Sequence, residues 1–304
     1  MDRQKVLAIV GPTGIGKTSL SVWLAKQLNG EIISCDSMQV YKKMDIGTAK
    51  VTQEEMQGIH HELIDVQNYN EPYNVKVFQE KCRTAIEDVV KRGKFPILCG
   101  GTGLYLKAAL YDYEFQEENE DIAYTAFLNS KTNEELVAML KEKDEKALEK
   151  IHPNNRKRLI RALQICHSGT SKSEQEDKQQ HIPLYDVYFL GLDVNREILH
   201  DRINKRVDIM FENGLVKEVE DLFTNPETWE YTSFQGIGYK EFKDYFLKEK
   251  SIDEVNTAIK THSRQYAKRQ YTWFKNQMPV HWFEAQNRDE IYSEVKEWLM
   301  DEDK

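Results

Sequence analysis

Short apolar runs at residues 6–10, 31–35, 95–99 and 187–192 are separated by stretches whose apolar positions recur every three or four residues. The runs have strand length and the stretches have helical period, so the chain reads as α/β, a parallel sheet flanked by helices. After Leu110 the pattern turns polar through Asn133, and residues 134–151 read as a charged helix. With no strand signal to interrupt it, the segment 113–150 is expected to form a small, mostly helical insertion domain. Residues 1–112 and 151–304 would then make one core. His152-Pro153-Asn154 restarts a helix with Leu159, Leu163 and Cys166 on one stripe, and residues 168–181 form a polar connection. From Asn195 onward helix follows helix, with breaks at Asn213-Gly214, Asn225-Pro226, 236–238 and 277–279.

Composition narrows the classes without choosing among them. A chain of 304 residues with 40% hydrophobic and 31% charged residues has material for a sizeable core. No apolar run approaches the roughly 18 residues that cross a bilayer, and the N-terminus has no basic, apolar and small-residue segments in succession. A cytoplasmic protein is expected. Cys35, Cys82, Cys99 and Cys166 are scattered, which suggests reduced thiols rather than zinc or disulfides. The net charge of -9 argues against a uniformly cationic surface, yet residues 255–283 contain no acid at all.

The chemistry begins with GPTGIGKT, the residues Gly11, Pro12, Thr13, Gly14, Ile15, Gly16, Lys17 and Thr18, between the first strand and a helix. Such a loop turns its backbone N–H groups toward phosphate oxygens, with lysine adding charge and threonine helping to hold Mg²⁺. A P-loop NTPase-like core follows, and a kinase or ATPase is the first class to consider. Asp36, Ser37 and Gln39 lie just past the second strand, where open α/β sheets bind ligands. An acid, a hydroxyl and an amide together can read a polar heterocycle. A third loop, with Gly100, Gly101, Thr102 and Gly103, lies at the same sheet edge, so three loops face one site.

The combination resembles the tRNA dimethylallyltransferase, or tRNA isopentenyltransferase, family. Besides the phosphate loop, the chain carries DSMQVYKKMDIGTAK from Asp36, HHELIDV from His60, GGTGLYLKA from Gly100, and HPNNRKRLIRALQI from His152. RVDIMFENGLVKEV from Arg206, GIGYKE from Gly236 and SRQYAKRQYTWFK from Ser263 complete the series. The resemblance spans nearly the whole chain. It implies that the bound phosphates belong to dimethylallyl diphosphate. The dimethylallyl group would pass to N6 of the adenosine next to the anticodon, in tRNAs that read codons beginning with U. Asp36 matches the general base, and Lys17, Thr102 and Arg206 match the residues that stabilise the departing diphosphate, with Thr18 on Mg²⁺. Arg202 lies one helical turn from Arg206 and competes for its role. Residues 111–127 depart from the family pattern, being acidic, and nothing like a zinc finger follows Lys275, as in bacterial members.

For the RNA, the resemblance implies contacts from Asp36, Ser37, Met38 and Gln39, and from Gly238, Tyr239 and Lys240. Cations would come from Arg156, Lys157, Arg158 and Arg161 on one helix and from Lys260, Arg264 and Lys268 on another, joined by Arg269 and Lys275, where four-residue spacing gathers charge on one face. Interleaved Tyr266, Tyr271, Trp273 and Phe274 could stack on bases, but at helical spacing Trp273 and Phe274 read rather as packing residues. No obligate protein partner is evident, and a monomer is expected. Three rivals remain: prenylation of free adenine nucleotides, a nucleotide kinase, and an RNA-binding regulator without catalysis.

Overall fold

The computed structural model describes residues 3–115, 121–174 and 181–301. Six parallel strands form one sheet: β1 (Lys5–Val10), β2 (Gly30–Ser34), β3 (His61–Glu62), β4 (Phe95–Gly100), β5 (Asp186–Asp193) and β6 (His281–Glu284). Their order is β3-β2-β4-β1-β5-β6. Strand β1 sits between β4 and β5 and is apolar and buried from Val6 to Val10, as a strand covered on both faces requires. Its side chains alternate, Val6, Ala8 and Val10 into one hydrophobic cluster and Leu7 and Ile9 into the other. The expected strands are all present. β3 and β6 carry no continuous apolar run: they are short edge strands, paired on one side, and leave no such signal.

The helices are α1 (Lys17–Gln27), α2 (Gln53–Met56), α3 (Val75–Lys91), α4 (Gly103–Leu110), α5 (Ile122–Asn129), α6 (Asn133–Asp144) and α7 (Arg156–His167). They continue as α8 (Arg196–Glu212), α9 (Leu215–Leu222), α10 (Lys243–Phe246), α11 (Ile252–Gln277) and α12 (Arg288–Met300). Helix α3 shows why they pack: Asn74 caps it by accepting from Val77 N–H, and Phe78, Cys82, Ala85, Ile86 and Val89 recur on one buried stripe. Helix α11 starts at a reciprocal cap between Ser251 and Glu254 and buries Val255, Ile259, Ala267, Gln270 and Phe274.

The chain divides into two compact units, Met1–Tyr111 with Pro183–Lys304, and Asp112–Ile182. The expected return to the core at residue 151 is therefore corrected to 183. The reason is the stripe on α7: Leu159, Ala162 and Leu163 are completely buried against Leu128, Leu136 and Leu140 of α5 and α6. Arg156 strengthens that attachment through hydrogen bonds to the carbonyls of Leu128 and Asn129 and to Asn133 Oδ1. Part of the expected acidic stretch, 116–120, and part of the expected polar connection, 175–180, lie outside the described residues.

Phe274 is fully buried in the larger unit, so packing rather than base stacking is its role. Phe274→Ala is expected to lower the unfolding free energy by about 3–5 kcal/mol in urea titrations, whereas a loss below about 1 kcal/mol would contradict that placement.

Candidate active site

The loops after β2, β4 and β1 leave neighbouring strands of the sheet, which is why they meet. In the first, after β1, Gly14 and Gly16 take φ of +78° and +106°, conformations open to glycine, before the chain enters α1. The Lys17 ammonium folds back to donate to the carbonyls of Gly11 and Pro12 at 2.9 and 2.8 Å. Burial pushes its pKa from the ordinary lysine value to about 8, an effect that nearby Arg206 adds to and that Cys99 and Asp36 oppose. Arg206 donates to Thr13 Oγ1 at 3.1 Å, and burial likewise works against its charge. Arg202 reaches the Ile15 carbonyl at 3.5 Å from an exposed position, while Arg206 lines the cavities. Of the two arginines, Arg206 alone lines these two cavities.

In the second loop, Asp36 Oδ1 accepts from the N–H groups of Met38 and Gln39 at 2.8 and 3.3 Å. Thr102 Oγ1, from the third loop, accepts from Ser37 N–H at 3.3 Å. Gln39 donates its amide to the carbonyls of Ala49 and Thr48 at 3.0 and 3.4 Å, so that amide holds the loop in place. The far part of this loop rests on Glu218, whose carboxylate accepts from three successive backbone N–H groups, those of Asp45, Ile46 and Gly47.

The same carboxylate accepts from the Tyr239 hydroxyl at 2.7 Å. Tyr239 is fully buried, and burial together with Glu218 raises its pKa well above the ordinary tyrosine value. The expected RNA contact from the Tyr239 side chain is therefore corrected: it is a structural phenol that packs against Gly47. Gly238 is buried as well, and its N–H is taken by Glu241. Lys240 is exposed and lines a cavity with Gly236.

Two cavities, of about 560 and 410 Å³, share Thr13, Asp36, Thr48, Arg206, Met210 and Tyr266. The larger runs along the glycine loop past Lys17 and Thr18. The smaller holds Ser37, Met38, Lys240 and Arg269, together with the aromatic rings of Tyr73 and Tyr105. Asp36 therefore lines both cavities, the one along the glycine loop and the one that holds the Tyr73 and Tyr105 rings.

The expected basic face divides. Lys260 pairs with Asp208 at 2.6 Å, and Arg264 donates to Asn204 Oδ1 at 2.5 Å and to Thr261 Oγ1. Because α11 packs on α8 there, half-buried Arg264 ties the two helices together. Lys268 and Arg269, further along α11, are exposed. Lys157, Arg158 and Arg161 are exposed on α7, in the second unit.

Two residues of α11 reach the site, Tyr266 and Gln270, and the second was not singled out by the sequence pattern. Tyr266 lines both cavities, and burial and Asp36 push its pKa up to about 12. Gln270 accepts from Thr13 N–H and donates to the Gly101 carbonyl, both at 2.9 Å. The one available signal was a polar residue on the buried Ala267–Phe274 stripe. The glycines of the third loop are explained by the same helix: a Cβ on Gly101 would strike the Gln270 amide, and one on Gly103 the Trp273 ring.

Comparison with known proteins follows this geometry. The family model of IPP transferase matches residues 39–277. The tRNA dimethylallyltransferase of Bacillus anthracis is 49% identical over 304 residues, which cover 98% of this chain and 96% of that protein. The solved full-length tRNA isopentenylpyrophosphate transferase of Bacillus halodurans is 42% identical, with a TM-score of 0.73 over 98% of this chain and 96% of that one. A eukaryotic dimethylallyltransferase acting on tRNA is 32% identical, with a TM-score of 0.82 over 98% of this chain and 78% of that one.

An anion in the glycine loop needs Lys17 charged, and in the free protein that charge is lost as pH rises through about 8. Affinity for inorganic diphosphate, measured by calorimetry, should therefore weaken above about pH 8 in the native protein and more gradually in Lys17→Arg, whose guanidinium stays charged. Identical pH profiles would contradict this assignment.

Proposed function

The chain belongs to the IPP transferase family, and from that premise we propose that it moves a dimethylallyl group from dimethylallyl diphosphate to N6 of the adenosine next to a tRNA anticodon. The observation that carries the reading is the meeting of the two cavities at Asp36. Diphosphate belongs on the loop of Gly11 to Thr18, in the larger cavity. The adenine belongs in the smaller one, beside Ser37. A base must leave its stack to enter such a space, which costs least in a single-stranded loop.

The residues then divide the chemistry. The bond between the allylic carbon and the diphosphate oxygen breaks as the bond from N6 to that carbon forms. The electron pair leaves with diphosphate, where Lys17, Arg206 and the Thr102 hydroxyl meet the growing negative charge. The N6 proton passes to the Asp36 carboxylate, whose Oδ1 is held by two backbone N–H groups. The site suits Mg²⁺ at Thr18: its exposed hydroxyl is a hard oxygen lining the same cavity as the loop. The ion, held by Thr18 together with the diphosphate, would supply further positive charge to the leaving oxygens.

Two observations speak against the rivals. Against a nucleotide kinase stand the relatives that match nearly the whole chain, which are tRNA dimethylallyltransferases. A free adenine nucleotide gives no role to the exposed cations Lys268 and Arg269 on α11, which suit an RNA backbone.

Asp36→Asn should lower the rate of prenyl transfer by about 10²–10⁴-fold while tRNA affinity, read by filter binding, stays within about twofold. Normal turnover in that variant would remove the proposed base. Lys268→Ala should weaken tRNA binding and reduce the salt dependence of log Kd by about one charge, and an unchanged slope would place Lys268 away from the RNA.

A further inference from the structure

Gln270 is 6% exposed, and both ends of its amide are used on loops that leave different strands. Its oxygen fixes the backbone of Thr13, in the loop after β1, and its nitrogen fixes the Gly101 carbonyl, in the loop after β4. Thr13 in turn receives the Arg206 guanidinium on its hydroxyl. One turn of α11 thus holds the separation of two loops and, through them, the aim of Arg206 and Thr102. The same stretch of helix carries Lys268 and Arg269 outward, so the element that grips RNA and the element that sets the phosphate-binding loops are a single rigid piece.

We propose that Gln270 is a positioning residue for diphosphate: its amide sets the spacing between the Thr13 and Gly101 backbones on which the phosphate contacts depend. This rests on the prenyl-transfer reading. A side chain of the same size without the amide leaves a buried N–H and a buried carbonyl unpaired, and the loops must shift to satisfy them. A carboxylate in its place still accepts from Thr13 but repels the Gly101 carbonyl. Once protonated it regains a donor and reproduces the amide pattern.

The test uses Gln270→Leu and Gln270→Glu in the full chain. Gln270→Leu should weaken inorganic diphosphate binding and raise the KM for dimethylallyl diphosphate, each by about tenfold, with tRNA affinity within about twofold of the native value. Gln270→Glu should recover toward the native enzyme, compared at the same pH, as pH falls from about 8 to about 6, while Gln270→Leu should not. A residue that merely fills space would give neither the selective loss nor the recovery. The proposal is overturned if Gln270→Leu keeps native diphosphate affinity, if its tRNA affinity falls in step with it, or if Gln270→Glu shows no recovery at low pH. Failure of the native protein to prenylate tRNA would instead sink the prenyl-transfer reading, because the diphosphate titration decides the role of Gln270 without any transfer.

Discussion

Two half-buried cations that share one neighbouring carboxylate are the constraint on which the site depends. Lys17 and Arg206 are both held against the cost of burying charge, and Asp36 is the acid that favours the charged form of each. Such an arrangement is incomplete without an anion. The free protein answers locally, with Lys17 spending its donors on the carbonyls of its own loop. A diphosphate would satisfy both cations at once, and its departure as a leaving group calls for them again, at the moment its charge grows. Ligand choice and transition-state stabilisation thus follow from one electrostatic demand.

The fold meets that demand by crowding. Parallel strands place the ends of β2, β4 and β1 side by side, and α11 lies against the loops that follow β1 and β4 with Gln270 and Trp273, so closely that Gly101 and Gly103 leave no room for a side chain. Glu218 does the corresponding work for the loop after β2, gathering three backbone N–H groups and a buried phenol on one carboxylate. These contacts hold loops rather than touch reacting atoms. They explain how an irregular backbone stays fixed at the catalytic edge.

Much of this was legible in the sequence, for identifiable reasons. A buried central strand must be apolar throughout and a phosphate loop must have its glycines, so β1, Gly11 to Thr18 and Asp36 announced themselves. The short edge strand β6 did not, because HWFE is only partly buried and has no apolar run. The boundary of the second unit was misplaced because the stripe on α7 reveals that it is buried but not against which neighbour. The same ambiguity affects polar residues: Tyr239 looks like a ligand in a list of motifs, and it spends its hydroxyl inside the fold. Gln270 was hidden for the converse reason, being a polar residue whose partners come from two loops more than 150 positions away.

The central claim is that the anion held by the glycine loop is the leaving group of a prenyl donor, and that the acceptor is an adenosine within RNA. The most direct measurement is mass spectrometry after incubating the protein with dimethylallyl diphosphate and Mg²⁺, offered either unmodified tRNA or AMP. One dimethylallyl mass on an adenosine of the tRNA, with AMP unchanged, is the predicted result. Prenylated AMP with unmodified tRNA, or no transfer to either, would contradict the account.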